Sequence, residues 1–322
     1  MPEDEPLVFA GSASPRLAGA ICRHLGVEVG RSEVLRFSEG TLFVRVLQNV
    51  RGRRVYLVQS TVFPANDHFM ELLFWIDALK RASAESVTAI IPYFSYGKGD
   101  KKDEPRVSIR ARVCADAIEG AGADRVVTMD LHAPQIQGFF RAPVDDLYAV
   151  DRLCAALRGR LPERPVVVSP DAGFAKKARA YAERLHAPLA IADKTRVGHE
   201  GRTEKVSLIG NVADQDALVV DDFTISGGTL IEAAEELRRC GARSVVAAVT
   251  HAVFARGTAA RLDASPIERL FVTDTVETQP EPLGPRVEVV SVAPLFAEAI
   301  LRIHRRESIS SLFMGDQSAN GR

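Results

Sequence analysis

Short apolar runs alternate with stretches of helical periodicity along almost the whole chain, and this alternation restricts the possible architectures more than any other feature. Strand candidates fall at residues 7–10, 55–59, 87–92, 126–129, 166–168, 189–192, 217–220, 244–250 and 270–272. Helix candidates lie between them, at 67–83, 109–120, 174–185 and 230–240. Such a pattern implies βαβ units, and so an α/β fold with mainly parallel sheets covered by helices. A chain of 322 residues suits two domains better than one. Residues 158–165 combine prolines and charges with little apolar content. We therefore expect a linker near 145–165, a first domain over 1–150 and a second over 151–322.

Several broad classes are excluded early. The net charge is −1, so no global field favours nucleic acid or an anionic membrane, and any anion site must be local. No apolar run approaches the ~20 residues of a membrane helix, and the acidic start of the chain lacks the basic region of a secretory leader. Cys22, Cys114, Cys154 and Cys240 are widely spaced, without a C-x-x-C pair. That arrangement fits reduced, structural thiols and a cytoplasmic location. The polar tail after Phe313 is expected to fray.

The stretch "ALVVDDFTISGGTL" (217–230) carries the clearest chemistry. An apolar strand runs into two acids, then hydroxyls and paired glycines. Leu230, Ala233, Ala234 and Leu237 follow at helical spacing, and Gly241 is placed to end the helix. A strand, a tight glycine turn and a helix start bring backbone N–H groups together around a phosphate. Gly227 and Gly228 permit close approach, and Ser226 and Thr229 add hydroxyl donors. Acids beside such a cradle fit a ligand that also carries a diol, because carboxylates accept hydrogen bonds from sugar hydroxyls. The competing reading is that Asp221 and Asp222 merely cap the turn.

This D-D-x-x-x-[ST]-G-G-T pattern resembles the ribose 5-phosphate loop of the type I phosphoribosyltransferase fold. Further segments narrow the resemblance: "VVTMDLHAPQIQGFF" (126–140), "VQSTVFPANDHFMELLFWIDALKRASA" (58–84), "VVSPDAG" (167–173) and "ESISSLF" (307–313). Together they are similar to the signatures of the ribose-phosphate pyrophosphokinases, or phosphoribosyl diphosphate (PRPP) synthetases, from about residue 8 to residue 313. The resemblance implies two tandem phosphoribosyltransferase-like domains, the first holding nucleotide and the second ribose 5-phosphate, with the last segment packing back on the first domain. It implies transfer of the diphosphate of ATP, or of another nucleoside triphosphate, to the 1-hydroxyl of ribose 5-phosphate, giving PRPP and AMP. Such chemistry is mostly positioning and charge neutralisation, so Mg²⁺ is the implied cofactor.

By resemblance, Lys194 and Arg196 form the catalytic pair, in a glycine- and charge-rich stretch (192–206) expected to act as a mobile lid. Phe37, Glu39, Thr41, Lys98, Gly99, Asp100, Lys101 and His132 fall on nucleotide-binding positions. Asp221, Asp222, Ser226, Gly227, Gly228 and Thr229 fall on the ribose 5-phosphate loop, and His132 and Asp171 on the metal site. Arg51, Ser83, Ser308 and Ser310 fall on positions resembling a regulatory phosphate and ADP site, with solvated surface groups as the plain alternative. A homo-oligomer built on dimers, the hexamer among its forms, is implied, with neither nucleic acid nor membrane as a partner.

The chain also departs from the family pattern. The usual nucleotide loop reads approximately Y-A-R-Q-D-R-K, whereas "YGKGDKK" (96–102) puts lysines at Lys98 and Lys101 and glycine at Gly99. Charge is kept and the planar guanidinium fork is lost. "RFSEGTLFVRV" (36–46) replaces the familiar F-S-D-G-E, Ile225 stands where aspartate is usual, and Phe174 replaces a glycine. These changes imply altered nucleotide preference or weaker base discrimination, or else a catalytically weak or silent regulatory paralogue. A nucleobase phosphoribosyltransferase would share the 217–230 loop but has no use for the other motifs.

Overall fold

The computed structural model describes residues 5–161, 164–197 and 203–313, with side chains described outside 193–207. The chain divides into two compact units. The first comprises Met1–Tyr148, Asp274–Thr278 and Ser291–Arg322; the second comprises Ala149–Thr273 and Gln279–Val290.

In chain order the first unit begins with β1 (Leu7–Ala10), α1 (Pro15–Leu25), β2 (Ser32–Arg36), β3 (Leu42–Val46) and β4 (Arg54–Val58). It continues through α2 (Ala65–Arg81), β5 (Ser86–Ile91), α3 (Arg110–Ala121), β6 (Arg125–Met129) and β7 (Val144–Leu147). Its main sheet has the order β1-β4-β5-β6-β7 and is parallel throughout. The second unit holds α4 (Val150–Leu157), β8 (Pro165–Ser169), α5 (Ala175–Leu185), β9 (Leu189–Val197), β10 (Thr203–Ile209) and β11 (Asp216–Thr224). It ends with α6 (Gly228–Arg239), β12 (Ser244–Ala252), α7 (Thr258–Asp263), β13 (Arg269–Thr273) and β14 (Val287–Val290). The order there is β10-β9-β8-β11-β12-β13-β14, parallel except for the antiparallel pair of β9 with β10. α8 (Ala293–Arg305) belongs to the first unit. The α/β class and the mainly parallel, helix-covered sheets thus agree with the sequence pattern.

Why these segments form these elements follows from what they bury. β4, β5 and β6 are nearly continuous apolar runs because both sheet faces are covered. α2 turns Leu72, Trp75, Ile76 and Leu79 inward at helical spacing, and the Trp75 ring meets Phe9 of β1 at 5.6 Å. A Cβ added to Gly30 would lie 2.6 Å from the Phe9 ring, so the backbone there packs directly on an aromatic face. Glu71, 1% exposed, is tolerated in this core because it accepts bonds from Ser12 N (2.8 Å), the Ser12 hydroxyl and Trp75 Nε1 (3.2 Å).

The return segment completes α1. Ser14 at its N-cap makes no side-chain capping bond. The buried carboxylate of Glu277 does this instead, accepting from Arg16 N (2.9 Å) and Leu17 N and pairing with Arg16 Nε (3.1 Å). α8 packs on α1, and Arg54 Nη1 donates to the carbonyl of His304 (2.7 Å).

One local expectation is corrected. Much of the interval proposed as linker is regular structure: β7 lies at its start, and α4 buries Val150, Leu153, Cys154 and Leu157 on one helical stripe. The short β7 hides because Asp145 and Asp146 interrupt its apolar pattern, although both are buried. The stretch expected to act as a mobile lid is strand up to Val197 and again from Thr203, since backbone pairing between β9 and β10 needs no apolar periodicity. The hairpin of β2 with β3 and the edge strand β14 also escape the apolar pattern, since they are only partly buried.

Candidate functional site

The proposed residues fall into two groups, one in each unit. In the second unit, the apolar strand β11 places Asp221 and Asp222 at its carboxyl end, and α6 begins at Gly228. Parallel α/β sheets build sites at this edge. Gly227 occupies the left-handed region (φ +74°) at the N-cap of α6, a conformation suited to glycine, and its carbonyl accepts the first helical bond from Ile231 N at 2.9 Å. Ser226 Oγ accepts from Gly228 N at 3.4 Å, and both Ser226 and Thr229 are exposed at the helix head.

The two acids do part of what a turn cap does. Asp221 Oδ1 accepts from Asp222 N, and Asp222 Oδ1 accepts from Phe223 N, each at 2.9 Å. Capping and ligand binding are therefore compatible, since each carboxylate has a second oxygen. Burial, and then the Asp222 carboxylate, push the Asp221 carboxyl well above the usual carboxylate range, with a further contribution from Asp171. Both neighbouring acids thus act on Asp221. Asp171 follows β8 and is exposed; its Oδ1 accepts from Phe174 N at 2.8 Å, which fixes its orientation.

Two cations near this group escaped the sequence reading. Lys177 Nζ lies 3.9 Å from Asp222 Oδ2 and 5.6 Å from the centroid of Phe174, the residue that stands in place of a glycine. Arg261 of α7 has Nη2 3.9 Å from where a Cβ on Gly228 would sit. Only their helical positions could have flagged them, because neither belongs to a recognisable motif. Ile225 is 42% exposed, while its carbonyl is held by Ala255 N (3.0 Å) and Thr258 Oγ1 (2.9 Å). The loop thus anchors this residue through its backbone. Lys194 and Arg196 stand on β9, and their side chains lie outside the described residues.

In the first unit, the chain after β5 forms a tight loop. Thr61 Oγ1 accepts from Ser95 N (3.0 Å), and Tyr96 packs edge-on against Phe69 (5.9 Å). Gly97–Gly99 makes one turn of 3₁₀ helix, with Gly99 N donating to the Tyr96 carbonyl at 2.9 Å. A Cβ on Gly97 would lie 3.6 Å from the Cβ of His132, so the loop and the end of β6 are neighbours. Lys98, Lys101 and His132 are exposed, and Asp100 is half-buried.

Phe37, Glu39 and Thr41 occupy a different element, the tip of the hairpin between β2 and β3. The tip is closed by Phe37 N donating to the Thr41 carbonyl (2.9 Å), and Gly40 adopts φ +92°. Thr41 Oγ1 donates to Glu39 Oε1 at 2.7 Å, which holds that carboxyl below its ordinary range. Phe37 is 47% exposed, and an ion pair between Arg36 and Asp67 ties the hairpin to α2. Among the proposed regulatory positions, Gly52 N, next to Arg51, donates to the Ser83 carbonyl (2.8 Å), and Ser308 Oγ bonds Ser310 Oγ (3.1 Å).

Among the described residues no group of three or more His, Cys, Asp or Glu is arranged to hold a metal ion, and no helix is long and apolar enough to cross a membrane.

Comparison with known proteins places this geometry among relatives. Residues 7–122 match the N-terminal domain of ribose phosphate pyrophosphokinase, and residues 198–314 match the phosphoribosyl synthetase-associated domain. A ribose-phosphate pyrophosphokinase of Rhizobium meliloti (strain 1021) is 47% identical over 308 residues, 95% of this chain and 99% of the relative. One from Agrobacterium fabrum (strain C58 / ATCC 33970) is 46% identical, with the same coverage. The crystal structure of phosphoribosylpyrophosphate synthetase from Mycobacterium smegmatis superposes with a TM-score of 0.88 at 38% identity, covering 94% of this chain and 99% of that one.

Proposed function

The chain belongs to the ribose-phosphate pyrophosphokinase family and is an enzyme of PRPP synthesis; from that premise we propose that it transfers the diphosphate of ATP to the 1-hydroxyl of ribose 5-phosphate, releasing AMP. The observation that carries this reading is the end of β11: two acids, then a left-handed glycine at the head of α6. The 5-phosphate would be held by the amides and hydroxyls of Ser226, Gly227, Gly228 and Thr229. The second oxygens of Asp221 and Asp222 would accept from the ribose diol, which relieves the repulsion between them by hydrogen bonding.

The nucleotide would bind in the first unit, its phosphates beside Lys98, Gly99, Asp100, Lys101 and His132. Phe37, Glu39 and Thr41 present an aromatic face and polar groups from an exposed hairpin tip, which suits contact with a base. In the oligomer that we propose, built on dimers, such a tip can complete the site of a neighbouring copy. Lys194 and Arg196 would stabilise the charge that develops on the transferred diphosphate. The four reduced thiols fit a cytoplasmic enzyme.

The residues present fit Mg²⁺. Asp171 offers a hard oxygen ligand with one oxygen already oriented by Phe174 N. His132, the other residue proposed for the metal, offers a ring nitrogen beside the nucleotide loop. Bound Mg²⁺ supplies neutralisation of phosphate charge, and its need for only one or two protein ligands matches so sparse a donor set.

The experiment is to incubate the purified protein with ribose 5-phosphate, Mg²⁺ and each nucleoside triphosphate in turn, measuring PRPP and nucleoside monophosphate. We expect PRPP and AMP with ATP. No PRPP with any triphosphate would refute the proposal and favour a silent regulatory paralogue.

A further inference from the structure

The loop Lys98–Lys102 offers only ammonium groups as cations, yet a guanidinium lies directly on it. A Cβ built on Gly99 would stand 2.6 Å from Nε and 2.8 Å from Cβ of Arg110, the first residue of α3. Gly99 is absent from the positive-φ glycines, so the backbone does not require glycine there; the space does. Arg110 fills the volume that any side chain at position 99 would take. Among the described residues no carboxylate or other acceptor engages its guanidinium, and the residue is exposed. One turn of the same loop brings Gly97 against His132. The unengaged fork therefore stands against the loop that carries Lys98 and Lys101, and that loop in turn neighbours His132.

We propose that Arg110 binds the polyphosphate of the nucleoside triphosphate, supplying from α3 the planar two-pronged donor that the loop lacks, and that Gly99 is glycine in order to admit it. Guanidinium matches phosphate oxygens bidentately, whereas ammonium acts as a point charge. The two positions are thus a pair: a side chain at 99 expels the fork, and loss of the fork leaves a loop with lysines alone. This inference rests on the nucleotide-binding reading of the first unit and names a residue that no motif in the sequence indicates.

The test combines equilibrium and turnover measurements on the full-length protein. Binding of ATP with Mg²⁺, without ribose 5-phosphate, is followed by calorimetric titration for the wild type, Arg110→Ala, Arg110→Lys, Gly99→Ala and the double variant Lys98→Arg/Arg110→Ala. PRPP formation gives KM for both substrates. Losing a charge-assisted contact weakens binding by about ten- to one-hundred-fold. Arg110→Ala is expected to lose that much in ATP affinity, with KM for ribose 5-phosphate and the thermal midpoint unchanged. Arg110→Lys should recover only part of the loss, Gly99→Ala should reproduce it by displacing the guanidinium, and Lys98→Arg should restore binding to the Arg110→Ala protein. An ATP affinity within two-fold of wild type in both Arg110→Ala and Gly99→Ala overturns the inference. So does a loss shared equally by ribose 5-phosphate. Absence of PRPP from the wild type would instead refute the proposed activity, while the titrations would still decide whether Arg110 holds the nucleotide.

Discussion

Replacing Gly227 by alanine isolates the contribution of one backbone conformation to the sugar-phosphate loop. With φ at +74°, the residue sits where an L side chain costs about 1–2 kcal/mol. The added methyl would meet Leu262 Cδ2 at 3.4 Å and Ile231 Cδ1 at 3.5 Å, ordinary contact distances that add no steric penalty. The whole effect is therefore conformational. It appears as lost stability if the turn keeps its shape. If the turn relaxes instead, the amides at the head of α6 move, and 1–2 kcal/mol becomes a rise of about 5–30-fold in KM for ribose 5-phosphate. Gly228→Ala is the control. That residue is not left-handed, and its methyl would rest 3.4 Å from Ser226 Oγ. Its stability should match or exceed wild type, since alanine is favoured over glycine in helices by about 1 kcal/mol. Its methyl should still crowd an approaching phosphate. The assay is PRPP formation at varied ribose 5-phosphate, beside a denaturant midpoint for each protein. A Gly227→Ala protein with both wild-type stability and wild-type KM would refute the reasoning.

Other outcomes follow from the same geometry. Asp222→Asn removes the neighbouring charge that, after burial, raises the Asp221 carboxyl; the unbound protein should melt at a higher temperature, while KM for ribose 5-phosphate rises by about ten-fold or more. Glu277→Ala strips the N-terminus of α1 of its only described side-chain cap and should cost about 1–2 kcal/mol in urea unfolding, with both substrate KM values unchanged. Burial pushes the thiols of Cys22 and Cys114 up to about 11 and that of Cys154 up to about 12. In the native protein at pH 8 a disulfide reagent should therefore label Cys240 first and the other three only on unfolding. The same thiols titrate near 8.5 when unfolded. Their contribution to stability is complete below that pH and is lost as the pH rises toward the folded values, which alkaline thermal melts will reveal.

The parts of the fold legible in the sequence are those that bury continuous apolar runs, such as β5, β6 and β11, or a clean helical stripe, such as α6. β7 and α4 were hidden by composition, because buried acids and flanking prolines look like a linker. The hairpin of β2 with β3 and the arm of β9 with β10 are held by backbone pairing, which leaves no periodic trace. In the candidate site, the order of acids, glycines and hydroxyls along 221–229 was readable because they are contiguous. The placement of Arg110 on Gly99 was not, since a glycine shows the absence of a side chain and never what occupies the space.

The return of the chain to the first unit has a consequence for synthesis. The strands of the first sheet are complete once residue 147 has been made, but the Glu277 carboxylate and α8 (Ala293–Arg305) come much later. At about 5–20 residues per second, a nascent chain spends on the order of ten seconds with α1 lacking both its Glu277 cap and the α8 helix that packs on it. The earlier-made unit is thus the later one to finish folding, and during that interval its uncovered helix is the surface a ribosome-associated chaperone would meet.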